Sequence, residues 1–296
     1  MPMEHSMEAR ALKTGYDSRV IIDDVNVEIP MGKVSVILGS NGCGKSTLLK
    51  TFCRLNRIFD GEILLDGKKT DEIAPKEFAC TVGLMPQSPL VPEGITVYDL
   101  VSRGRFPYRK FMRGLGTEDF QAVKDALEMM EIADMADRPV DELSGGQRQR
   151  VGIARALVMN PKLIIADECI SALDMSIQAQ VVNLMKDIQD ETGLAYLFIA
   201  HDLSMVKYIS DRIGVLHLGY LLETGTTEEI FSHPVHPYTR SLISAIPNPN
   251  PVVERSRIAL HYDYKTSGLD YGAGTMHQIE GTHFVRGTDA DLEKWV

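Results

Sequence analysis

The chain has 296 residues, of which 44% are hydrophobic and 24% charged, and a net charge of −10. That length suits one large domain, or one domain with appendages, around a sizeable core. The acidic balance argues against a protein whose main task is gripping a nucleic-acid backbone, which takes clustered Lys and Arg, though it leaves room for a local basic patch.

In chain order, the first residues, MPMEHSMEARALKTGYDS, hold no apolar signal-peptide core. Residues 20–30, VIIDDVNVEIP, alternate in places as a half-buried strand does. Residues 33–38, KVSVIL, read as a buried strand ending at Gly39, and helical spacing starts at Lys45. GEILLDGKK at 61–69 predicts a further strand and turn. Residues 117–136 are rich in helix formers, with Thr117, Glu118 and Asp119 as the start. Residues 87–142 thus read as a mainly helical insertion, with 107–116 a basic surface loop. After Gly145 a helix runs to near Pro161. KLIIADE then reads as a buried strand, SIQAQVVNLMKDIQDETG as a helix and AYLFIAHD as a strand. This alternation predicts a mostly parallel sheet covered by helices. RIGVLHLGYLLETG (212–225) reads as two strands around a turn at Gly219. Beyond about residue 233 the sequence turns proline-rich, and 255–296 is polar with little periodicity, which reads as an appendage.

No apolar run approaches the ~20 residues of a membrane-spanning helix. The expectation is a cytosolic chain that reaches a membrane only through a partner. Cys43, Cys53, Cys80 and Cys169 lack paired metal-ligand spacing and read as reduced thiols.

The chemistry concentrates in short segments. GSNGCGKST at 39–47 fits G-x-x-x-x-G-K-[ST] at Gly39, Gly44, Lys45 and Ser46. Its glycines let the backbone wrap a phosphate with N–H groups turned inward. Lys45 reaches the β- and γ-phosphates, and Ser46 offers a hydroxyl to Mg²⁺. The candidate ATP contacts are Gly39, Ser40, Asn41, Gly42, Cys43, Gly44, Lys45, Ser46 and Thr47. Asp167 ends the strand LIIAD and is placed to hold Mg²⁺ beside such a loop; without the loop, a turn or cap residue is the better reading. Glu168 is the candidate general base for the attacking water. His201 ends the next strand, where local sequence equally fits a satisfied strand-end histidine. LSGGQ at 143–147 places Ser144 as the cap of a helix whose first residues are Gly145 and Gly146, a second anion device.

With these motifs in this order, the chain resembles the nucleotide-binding subunits of ABC transporters over roughly residues 10–260. The resemblance implies an α/β P-loop NTPase of the ABC ATPase type: a mostly parallel sheet with an antiparallel β subdomain and a helical subdomain. It implies an ATPase domain over 1–232, with the helical part at about 87–142, and a C-terminal extension over 233–296. It makes Tyr16 the aromatic on adenine, Gln87 a Mg²⁺ contact that senses the membrane partner, and Gln147 part of the signature. SALD at 171–174 becomes the D-loop with Asp174, and His201 the switch histidine at the γ-phosphate. Cys169 departs from the family, where many members have proline. The implied ligands are ATP and Mg²⁺. The implied partners are transmembrane permease subunits, a second ABC ATPase subunit (homo- or heterodimer), an extracytoplasmic substrate-binding protein indirectly, and no nucleic acid. The implied location is peripheral, on the cytoplasmic face of the cell membrane.

The front half, through LMPQSPLVPEGITVYDLVSRGRFPY, is similar to ferric-siderophore and haem importer ATPases. The back half, including HPVHPYTRSLISAIPNP and the tail GTHFVRGTDADLEKW, is similar to oligopeptide and dipeptide importer ATPases. The tail tips the expectation to oligopeptide import, with siderophore or haem import as the alternative. A soluble ABC ATPase of DNA repair or translation is the other class. It usually carries two cassettes or a long coiled-coil insertion, and this chain has neither. A small-metabolite P-loop kinase would leave LSGGQ and the D-loop unexplained.

Overall fold

A computed structural model describes residues 5–86, 91–109, 114–168, 174–200, 202–247, 254 and 259–296. Two sheets carry the fold. The smaller is antiparallel, with β1 (His5–Tyr16), β2 (Arg19–Pro30), β4 (Ile58–Leu65) and β5 (Lys68–Lys69) in the order β2-β1-β4-β5. Sequence patterning did not predict β1. Its inward residues Met7, Ala9, Leu12 and Thr14 are buried, but their alternation slips between Ala9 and Leu12, where the pairing register shifts. Ala11 at this slip has φ 42, so a bulge hides the period of two.

The larger sheet contains β3 (Val34–Leu38), β6 (Val82–Met85), β7 (Leu163–Asp167), β8 (Ala195–Ile199), β9 (Arg212–His217), β10 (Tyr220–Thr226), β11 (Thr275–Glu280) and β12 (His283–Gly287). Their order is β11-β12-β10-β9-β3-β8-β7-β6. The strands from β9 to β6 run parallel; β10, β12 and β11 add on antiparallel. Every residue of β3 and β8 is buried, as expected of parallel strands covered on both faces. Alternate residues serve two cores. Ile37, Ile165 and Leu197 pack with the helix Lys45–Phe52 and the small sheet. Val36, Ile164 and Phe198 pack with the helical part and the helices Gly145–Leu157 and Met175–Thr192.

The predicted helix over 117–136 stops at Met129. Glu131 takes φ 55, and after the buried Ile132 the chain turns into a short 3-10 segment, Ala133–Met135. The tail differs more. Instead of an aperiodic appendage, β11 and β12 form a hairpin whose β12 pairs with β10 at Glu223↔Val285 and Thr224↔Phe284. Its inward positions are hard to recognise because several are polar. His283 and Arg286 are buried there, and Glu223 of β10 meets His283. Glu223 accepts from the backbone N–H groups of Val235 and His236 and contacts His283 Nε2 at 2.7 Å. Arg286 donates to the carbonyls of Tyr271, Gly274 and Asp24 and to the Asp24 carboxylate at 2.6 Å. It thereby ties the hairpin to β2. Among the described residues no helix is long and apolar enough to cross a membrane.

Candidate active site

The parallel register sets the site. Ile199 of β8 lies opposite both Ile37 of β3 and Asp167 of β7. The loop that follows β3 and the acid that ends β7 therefore emerge at the same end of the two strands that flank β8, where open α/β sheets bind ligands.

Gly39 begins the loop with φ 153, and a Cβ there would lie 2.1 Å from the Leu216 carbonyl oxygen. Gly44 takes φ 111, and its Cβ would lie 2.6 Å from Ile22 Cδ1. Both positions need glycine for conformation and for room. Gly44 also starts the helix Lys45–Phe52, and no side chain caps it. The first helical bond that reaches back to the loop is Leu48 N–H to Gly44 O at 2.9 Å. The N–H groups of Lys45, Ser46 and Thr47 lie in the uncapped first turn, a setting suited to an anion.

A cavity of about 410 Å³ opens over this turn, lined by Asn41, Gly42, Lys45, Ser46, Thr47 and Glu168, with Gly44 and Ile21 completing the wall. The Lys45 ammonium folds over the loop and donates to the Gly39 and Ser40 carbonyls at 2.9 and 3.0 Å. Ser46 Oγ donates to Asp167 Oδ1 at 3.2 Å. Burial pushes the Asp167 carboxyl above its usual range; the Ser46 bond pulls it back, and the neighbouring Glu168 charge pushes it up again. Glu168 has φ 49, the left-handed region that a non-glycine residue rarely adopts. Its position in the cavity wall thus comes with local backbone strain.

Other predicted site residues fall differently. The Cys43 side chain is buried in the core, away from the cavity, so only its backbone faces the loop's work. Tyr16 ends β1 with its ring partly exposed, and its hydroxyl reaches Thr47 and Asn56, at the cavity's rim. Ser144 caps the helix Gly145–Leu157. Its Oγ accepts from Gln147 N–H at 3.3 Å, while Gln147 Oε1 accepts from Ser144 N–H at 2.9 Å, a reciprocal capping box. Gly146 is buried, and a Cβ there would lie 2.6 Å from Ile177 Cγ2, so this glycine has a packing reason as well. Ser144 and Gly145 are exposed, and neither lines the cavity. Asp174 caps the helix Met175–Thr192 by accepting from Ile177 N–H at 3.0 Å. Gln87 and His201, and Cys169 with residues 171–173, lie outside the described residues.

Two contacts escaped sequence reasoning. Ile21 lines the cavity from β2, and nothing in the strand's alternation singles it out. Tyr238 accepts a hydrogen bond from Ser40 N–H at 2.8 Å, across 198 residues of sequence. Only the folded topology brings those two together.

The ABC transporter family profile matches residues 22–171, and a second, the oligopeptide/dipeptide transporter C-terminal region, matches 222–262. A dipeptide transport ATP-binding protein of Lactococcus lactis is 45% identical over 285 residues, covering 92% of this chain and 89% of its own. An oligopeptide transport ATP-binding protein of Streptococcus mutans is 45% identical over 281 residues, covering 93% and 90%. The solved structure of cbiO1 from Clostridium perfringens, described as part of an ABC transporter complex, superposes with a TM-score of 0.72 at 28% identity. It covers 86% of this chain and 98% of that one.

Proposed function

Because the chain belongs to the ABC transporter family and is one of its ATP-hydrolysing ATP-binding subunits, we propose that it drives the uptake of oligopeptides through a membrane permease. The observation that carries the reading is the juxtaposition of a complete phosphate cradle with a match to the peptide-transporter C-terminal region in the same chain. The named relatives span 92–93% of the chain, both halves together, and both are peptide transport proteins. That favours peptides over the siderophore or haem alternative suggested by the front half.

In this reading the backbone from Gly39 to Thr47 holds the ATP phosphates, Lys45 swings from its carbonyls to the β- and γ-phosphates, and Tyr16 stacks on the adenine. Glu168 orients the attacking water and accepts its proton. The donor pair Ser46 hydroxyl and Asp167 carboxylate, both hard oxygens 3.2 Å apart, suits Mg²⁺. Gln87 is proposed to join them. Bound Mg²⁺ neutralises charge that develops on the transferring phosphoryl group. His201 is assigned to the γ-phosphate, and Asp174 to the partner-facing end of the D-loop.

Ser144, Gly145, Gly146 and Gln147 lie apart from the cavity of their own chain, which supports a head-to-tail pair. In it the signature of one subunit completes the ATP site of the other. The ATPase then occupies residues 1–232, with 233–296 as the extension shared with peptide importers, held peripherally at the cytoplasmic membrane face by the permease. A substrate-binding protein outside the membrane delivers the cargo.

Reconstitution tests this. ATPase activity should rise when a peptide permease in lipid is added and fall by about 10²–10⁴-fold in Glu168→Gln. Capture of a siderophore permease from membranes would replace the peptide reading. Co-purification with ribosomes or DNA and indifference to every permease would end the transport reading.

A further inference from the structure

The phosphate loop is held from behind by the C-terminal region. Tyr238 is the second residue of the helix Pro237–Ser244 and is nearly fully buried. Its hydroxyl accepts from Ser40 N–H at 2.8 Å, on the loop itself. Beside that bond, the carbonyl of Leu216 fills the space a Cβ on Gly39 would need. The loop therefore has a wall on the side away from its cavity, and Tyr238 supplies that wall's hydrogen bond.

Tyr238 is itself firmly placed. Its own N–H donates to Nδ1 of His236, the helix cap, at 3.0 Å. The backbone N–H of His236 is held in turn by the buried Glu223 carboxylate at 2.9 Å. The Tyr238 ring stacks on His217 with centroids 4.1 Å apart and planes inclined by 22°. His217 Nδ1 lies 2.9 Å from the Tyr271 hydroxyl, and that hydroxyl lies 2.7 Å from the hydroxyl of Tyr262. A continuous set of contacts thus runs from the tail to the first turn of the phosphate loop. Tyr238 and Tyr262 both fall inside the stretch that matches the peptide-transporter C-terminal region.

We infer that Tyr238 is a positioning residue for ATP binding: through Ser40 N–H it holds the phosphate loop in its wrapped shape before nucleotide arrives. The inference rests on the ATPase reading of the loop. Its physical basis is preorganisation. A loop already ordered gives up less conformational freedom on binding, so affinity rises without any direct contact to the ligand. Bound and activated nucleotide gain equally from this, so the effect falls on binding and leaves turnover at saturation unchanged.

Tyr238→Phe tests it, because the ring and its stack on His217 remain and only the hydroxyl goes. The wild type is first titrated with fluorescent ADP and with MgATP. If the wild type binds neither, the ATPase reading itself fails. If it binds, the variant should show Kd and KM raised about five-fold, the equivalent of one net hydrogen bond of ~1 kcal/mol, with kcat unchanged. Equal affinity in both proteins overturns the inference. So does a fall in kcat at constant KM, which is the mark of a merely structural loss. Amide exchange on the nucleotide-free wild type gives a reading that needs no variant: the Ser40 amide should be protected, and exchange at the rate of an open loop would refute the bond.

Discussion

His236 makes acid stability the sharpest quantitative test of the C-terminal packing. Its side chain is fully buried, and Nδ1 accepts from Tyr238 N–H, which only the neutral ring can do. Burial drives its pKa from 6.5 down to about 3, with the nearby His217 pushing the same way. A histidine whose folded pKa is depressed takes up its proton first in the unfolded chain. Its contribution is therefore complete above about pH 6.5 and is lost as pH falls from there toward the folded value. Between pH 6.5 and 4.5 the loss approaches 1.36 kcal/mol per pH unit at the acid end, or about 2 kcal/mol across the window. Burial also lowers the pKa of His217, while Asp167 is raised and opposes them near the bottom of the window. A difference measurement cancels both. His236→Asn keeps an acceptor at the cap and removes the titration. Urea midpoints measured in half-unit steps of pH should show the wild type losing about 2 kcal/mol more than the variant over the window. Parallel curves would refute the burial of a neutral His236.

Further substitutions probe the loop, the signature helix and the tail. Gly39→Ala forces a Cβ to 2.1 Å from the Leu216 carbonyl oxygen, a backbone atom that cannot yield without moving the strand end. The expected cost is about 1–3 kcal/mol, with MgATP affinity reduced at least ten-fold in a fluorescence titration. Gly146→Ala gains roughly 0.5–1 kcal/mol of helix propensity but meets Ile177 Cγ2 at 2.6 Å, so thermal melting should show net destabilisation. Adding Ile177→Ala should reverse the sign of the Gly146→Ala effect in a double-mutant cycle. Arg286→Met leaves the carbonyls of Tyr271 and Gly274 without their buried donor and should cost about 2–4 kcal/mol in denaturant unfolding.

The parts of the fold that sequence patterning revealed share one property: their physical cause is local. Strand, glycine loop and helix around Lys45 are legible because backbone conformation there depends on adjacent residues. The buried runs KVSVIL and KLIIADE are legible because parallel strands covered on both faces are apolar throughout. The hairpin at Gly219 is legible because its turn takes φ 48 and 86 at Leu218 and Gly219. What escaped notice has distant causes. β1 hides behind a bulge, and β12 buries His283 and Arg286 on partners 60 and 262 residues away. Glu168 was legible as a chemical group, but its φ of 49 was not. The cap at Ser144 is legible because its partner Gln147 is three residues away, while the packing demand on Gly146 depends on Ile177 in another helix.

The same distance effect changes how the C-terminal region is understood. Read along the chain, residues after about 233 follow the chemistry and look separable from it. In space they close the sheet's edge through β12, hold β2 through Arg286 and Asp24, and hold the phosphate loop through Tyr238 and Ser40. β2 supplies Ile21 to the cavity over the phosphate loop, and the loop lines the rest with Glu168. The tail thus holds two elements that border one cavity without lining it. A buried charge network such as Glu223 with His283, Val235 and His236 is costly to open, because breaking one partner strands the others. Such a brace transmits position well. The region shared with peptide transporters therefore supports the elements around this cavity, and differences in this region between relatives should be sought in nucleotide affinity as well as in cargo or permease choice.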